Sequence, residues 1–138
     1  MGRGSADQVW ARYNHGQMDR TLLLVGAVAG FIGVGFGAFG AHGLRGRLSP
    51  ELLAAFETVV RYQMYHALAI LVTAVALGFL DDRLLRTGGW LFALGIVLFS
   101  GSLYALALTG VTTLGMITPL GGLAFLAGWA LLIVVALK

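Results

Sequence analysis

Apolar residues in this chain neither alternate nor recur only as a single stripe. They come in four long runs parted by short polar breaks. The runs cover about 21–41, 62–80, 88–108 and 116–137, and none of them holds an Asp, Glu, Lys or Arg. A helix rises about 1.5 Å per residue, so each run is long enough to cross a hydrocarbon core about 30 Å thick. The first run is also too long for the apolar core of a cleaved signal peptide, which spans about 7–15 residues. The pattern predicts an all-α fold, a four-helix transmembrane bundle.

The breaks sharpen the boundaries. Ser49-Pro50-Glu51 reads as a helix start, with Ser49 as N-cap, Pro50 at the first helical position and Glu51 at the positive end of the dipole. From Pro50 no breaker occurs until about Leu80, which is more helix than the bilayer core needs. Residues 50–61 are therefore expected as an interfacial extension of the second helix. Phe56, Val59, Gln63, His66 and Ile70 form its inward stripe, opposite Glu57 and Arg61. Residues 1–20 form a polar tail ahead of a membrane domain at 21–138. Ala6 stands where a myristoylation pattern needs Ser or Thr.

Small residues add a packing signal. Gly26, Gly30, Gly33, Gly37 and Gly40 alternate spacings of four and three, which places them on one face of the first span. Gly88, Gly95, Ser102 and Thr109 recur every seven residues on the third. In lipid such seams let helices approach closely. Pro119 falls in the first turns of the fourth span, where a missing N–H costs little.

Composition agrees with a membrane solvent. The 138 residues are 59% hydrophobic and 11% charged, against about 25% charged in a soluble domain. There is no cysteine, which excludes disulfides and thiolate chemistry. The net charge of +3 does not point to nucleic acid, because the cations sit in the tail and between apolar runs. Arg3, Arg12, Arg20, Arg83, Arg86 and Lys138 collect at one side, Arg45 and Arg47 at the other. The positive-inside rule then places both termini in the cytoplasm of a bacterial inner membrane.

With this topology His42, Gln63, His66, Tyr104 and Thr118 are expected at similar depth, as one polar layer toward the outer face. Three readings of that layer stand: hydrogen bonds that lock a loop, a small-molecule, lipid or proton site, and haem or metal ligation by His42 and His66. The layer holds no carboxylate, so paired acid/base chemistry and a Ser-His-Asp set are absent. The glycines precede no strand–helix turn and make no nucleotide loop.

Four ordered motifs carry a family resemblance. They are Gly37-Ala38-Phe39-Gly40-Ala41-His42-Gly43-Leu44, the run from Phe56 to Leu68, Phe99-Ser100-Gly101-Ser102-Leu103-Tyr104, and Ile117-Thr118-Pro119-Leu120-Gly121-Gly122. From about Leu22 to Lys138 the chain resembles the small membrane proteins of the YgdD type, whose animal relatives are called transmembrane protein 256. The resemblance implies a four-span membrane protein and supplies no established activity, catalytic residue or cofactor. The two small-residue seams and the lack of a complete catalytic set point to a non-enzymatic component that packs against a membrane-protein partner or a second copy.

Overall fold

A computed structural model describes residues 18–138; the expectations for the tail ahead of Met18 lie outside them. Four helices follow one another: α1 (Arg20–Leu44), α2 (Pro50–Ala76), α3 (Arg83–Thr109) and α4 (Thr118–Ala136). No strand occurs among the described residues. All four are long and apolar enough to span a bilayer, and the side chains on their outer faces are mostly large and apolar, as lipid contact requires.

Each helix start has a local cause. The Asp19 carboxylate accepts from the backbone N–H groups of Thr21 and Leu22 at 3.1 and 3.0 Å. Ser49 accepts from Leu52 N–H at 3.3 Å with Pro50 behind it, as its sequence signature predicts. Asp82 accepts from Leu84 N–H at 2.7 Å, and that cap starts α3 at Arg83. The third helix therefore begins before the expected residue 88, because the charged turn is its first turn. α2 ends at Ala76 rather than near Leu80, and α3 closes on Gly110 in the left-handed region, at φ +73°. A short 3-10 turn, Thr112–Met116, leads into α4.

The glycine seam of α1 is used inside the chain. A Cβ on Gly26 would meet Leu71, on Gly33 the Met64 sulfur, on Gly37 Val60 and on Gly40 Phe56. These contacts fix α1 antiparallel to α2 with Gly40 beside Phe56 and Gly33 beside Met64. Gly30 is the exception, with no neighbour within 4 Å of its would-be Cβ. Gly95 of the second seam lies against Phe125, while Thr109 is exposed. Gly88 and Gly128 bring α3 and α4 together, and Gly121 lies against the Phe99 backbone.

The five residues of the α2 stripe, Phe56, Val59, Gln63, His66 and Ile70, are all buried. The stretch expected at the interface, 50–61, is the first half of the same unbroken helix, and its Phe56 and Val59 join Leu44, Tyr104 and Ala107 in one apolar cluster. A second cluster, built on Leu22, Ile70, Leu77, Leu85, Phe92 and Phe125, fills the other end. That end is also tied by charge. Arg86 pairs with Asp19 and, at 3.7 Å, with Asp81; Lys138 meets Asp82 at 2.7 Å. The Lys138 ammonium holds the Asp82 carboxyl below the usual carboxylate range, helped by the two N–H groups it caps and opposed by partial burial.

Two segments depart from α geometry. Gly40–Leu44, which ends α1, and Ile96–Ser100, inside α3, are π-turns. The second shifts the phase of its helix. Burial at Leu85, Gly89 and Phe92 would continue in an α-helix to positions 99, 103 and 106. On this face the buried residues are instead Ser100, Tyr104 and Ala107, one step later, while Ser102 on the face toward α4 keeps the seven-residue spacing of Gly88 and Gly95.

Candidate functional site

α1 and α3 run parallel and touch at two levels. Leu22 meets Gly89 near the ion-paired end, and the Phe36 and Tyr104 rings meet edge-on at 4.5 Å near the other. Between these contacts the helices part and leave a groove of about 770 Å³. Its walls are apolar: Leu24, Val28 and Ile32 on α1, Trp90, Leu94 and Val97 on α3. This volume lies within the roughly 300–1,000 Å³ typical of small-molecule sites.

Three polar side chains interrupt the apolar lining: Gln63 from α2, and Ser100 and Tyr104 from α3. All are buried, with 3%, 1% and 7% of their surface exposed. Gln63 Nε2 donates to the Ala29 carbonyl of α1 at 2.8 Å, which identifies the other amide atom as the oxygen. Among the described residues that oxygen receives no hydrogen bond, and it is not fully covered. The Ser100 and Tyr104 hydroxyls are buried without any partner among the described residues. An unsatisfied buried donor costs about 1–3 kcal/mol, so such groups call for an explanation. Among the described residues no charged side chain lines the groove.

The expected polar layer is not one layer. Because Gly40 pairs with Phe56 and Gly33 lies beside Met64 and Gln63, His42 stands nine residues of α1 beyond the level of Gln63, about 13 Å along the axis. It is exposed in the terminal π-turn. Gln63 sits near the middle of α2, not at the start of a span. Thr118 bonds Ser102 at 2.8 Å, and Ser102 donates to the Phe99 carbonyl at 3.1 Å, which joins α3 to α4. Of the five candidates only Gln63 and Tyr104 share a site. Ser100 completes it. Its place there had no sequence signal, because the π-turn that brings it into the lining has none.

His66 faces the other side of α2. Its Nδ1 lies 2.7 Å from the Tyr62 carbonyl, and Trp129 Nε1 lies 3.2 Å from its Nε2. A carbonyl only accepts and an indole N–H only donates, so the ring is the neutral Nδ1–H tautomer with both nitrogens engaged. It stacks on Phe125 with centroids 3.5 Å apart. A second cleft, about 590 Å³, opens beside it between Tyr62, Phe99, Pro119 and Trp129. Haem or metal ligation shared by His42 and His66 is overturned by this geometry: His66 has no free lone pair, and His42 lies far along α1. No cluster of three metal-binding side chains occurs among the described residues.

Comparison with known proteins agrees with this architecture. The profile of a family described as "Protein of unknown function (DUF423)" matches residues 36–122. The chain is 47% identical over 124 residues to the UPF0382 membrane protein YwdK of Bacillus subtilis, covering 86% of this chain and 98% of that protein. A UPF0382 membrane protein of Staphylococcus haemolyticus is 47% identical over 119 residues, covering 86% and 97%. No solved structure matches the chain. The motif resemblance is thereby established at the level of a small membrane-protein family of unknown function.

Proposed function

The chain belongs to the DUF423 family of unknown function, whose relatives are named as membrane proteins, and on that footing we propose that it is a non-catalytic binder of a lipophilic molecule. The molecule enters the α1–α3 groove from the bilayer. The observation that carries this reading is the pairing of an apolar groove with two buried hydroxyls, Ser100 and Tyr104, that have no partner among the described residues, and with the free amide oxygen of Gln63. Packing against a partner through the glycine seams loses its motivation, since most of those glycines are already occupied by α2 and α4. No carboxylate, free imidazole or nucleophile–base pair lines the groove, so it offers binding and no acid/base chemistry. The ion-paired end, with Arg20, Arg83, Arg86 and Lys138, is the cytoplasmic end in this proposal, and Arg45 and Arg47 lie outside.

Gly101 lines the groove, and a Cβ there would meet nothing within 4 Å. Gly101→Leu therefore fills the groove without disturbing the bundle. The protein and this variant, extracted side by side in native lipid, are compared by mass spectrometry of the small molecules that co-purify. The expected result is a lipophile near one per chain in the protein and lost in Gly101→Leu. Equal content in both would overturn the proposal.

A further inference from the structure

The polar groups of the groove specify the ligand's own polar group. Elsewhere on these helices hydroxyls bond back to the preceding turn. Thr73 donates to Ala69 O at 2.8 Å, Thr87 to Arg83 O at 2.8 Å, Thr109 to Ala105 O at 2.6 Å and Ser102 to Phe99 O at 3.1 Å. This is the ordinary way for a hydroxyl on a helix to be satisfied in lipid. Ser100 does not do so. It is the last residue of the π-turn, where the backbone bonds run one residue further and the usual carbonyl is displaced. Tyr104, one turn on, also keeps an unbonded hydroxyl. Across the groove floor the Gln63 Oε1 needs a donor. Two unpartnered but covered hydroxyls and one open acceptor thus lie around the same space.

We propose that the groove selects a neutral lipophile whose polar group is a hydroxyl, seated between Gln63 and Ser100; this rests on the binding function proposed above. A hydroxyl donates and accepts at once, so it can give its proton to Gln63 Oε1 and take one from Ser100. A ketone, ester or ether only accepts and leaves Gln63 unmet. A carboxylate or phosphate finds no cation in the lining. A phospholipid headgroup is charged and belongs at the surface, whereas Gln63 lies near the middle of α2. The Ser100 and Tyr104 oxygens are covered. The proposed complex therefore has Ser100 change to another staggered rotamer to reach the ligand.

Trp90 in the groove wall provides the readout. Four probes with a quenching bromine are titrated into the protein in phosphatidylcholine nanodiscs: 12-bromododecan-1-ol, its methyl ether, 1-bromododecane and 12-bromododecanoate. The signal is the quenching lost in Trp90→Phe. The alcohol is expected to bind about tenfold tighter than the ether or the alkane, the size of one or two net hydrogen bonds. Gln63→Leu and the shape-conserving Ser100→Ala should each remove that preference while alkane binding persists. Equal binding of alcohol, ether and alkane, or a preference for the carboxylate, would overturn the hydroxyl assignment and leave the lipophile site standing. Absence of Trp90 quenching by every probe would overturn both. So would efficient disulfide dimerisation of Gly101→Cys, which would mark the groove as filled by a second copy.

Discussion

At the scale of single residues, helical period decides burial on α2 and glycine contacts decide depth. The stripe Phe56, Val59, Gln63, His66 and Ile70 is buried throughout, because periodicity alone sets which face turns inward. His42 was misplaced because its level depends on the register between α1 and α2, and that register is set by which glycine receives which side chain. The same glycines make a contrasting pair of predictions. A Cβ on Gly121 would lie 2.7 Å from the Phe99 Cα, backbone that cannot swing aside. Gly121→Ala should destabilise the protein by about 1–3 kcal/mol or more. Gly30 has open space around it, so Gly30→Ala should cost nothing and can gain up to about 1 kcal/mol. Thermal unfolding of the two variants in one detergent separates them. Equal losses would mean that the α1–α2 and α3–α4 contacts are not as described.

At the scale of elements, four spans were legible because an uncharged run of helical length has few other destinations. Their ends were less so. Asp82 lies in the polar break between the second and third runs, and its carboxylate caps α3 and receives Lys138 from the end of the chain. Since its folded pKa is lowered, the associated stability is fully present above the ordinary carboxylate range, near pH 4, and is lost as pH falls through the folded value. Melting temperature followed against pH should therefore drop on the acid side in the intact protein. Lys138→Met should flatten that limb while leaving melting at neutral pH nearer to wild type than Asp82→Ala, which also loses the cap. An unchanged acid limb in Lys138→Met would show that the pair contributes nothing. The π-turns were invisible to the sequence reading, because no residue type marks them and their effect is one of phase.

For the whole molecule, the arrangement is two tightly seamed pairs, α1 with α2 and α3 with α4, joined across α2 and α3. Close packing is spent within the pairs, and the parting between α1 and α3 is where the chain leaves room. The sequence announced the seams but not which helices they join, so it could not show that little of them remains for a partner. The orientation proposed for the membrane is open to a direct check, since the chain has no native cysteine. In intact cells, Arg47→Cys should react with a membrane-impermeant maleimide, and Lys138→Cys only after permeabilisation. The reverse pattern would place the ion-paired end outside.

The extra residue accommodated by Ile96–Ser100 has a consequence for any mutational map of α3. A single helical wheel cannot describe that helix: Leu85 to Gly95 and Ser100 to Ala107 need two wheels, offset by one residue or about 100°. Deleting one residue between Ile96 and Ser100 would merge them into one wheel. Leu85 and Phe92 on one side of the turn and Ser100, Tyr104 and Ala107 on the other could not then all point inward, and Tyr104 would swing from between Phe36 and Phe56 toward lipid. The groove would lose its closed end through a change of length that alters no chemistry at all.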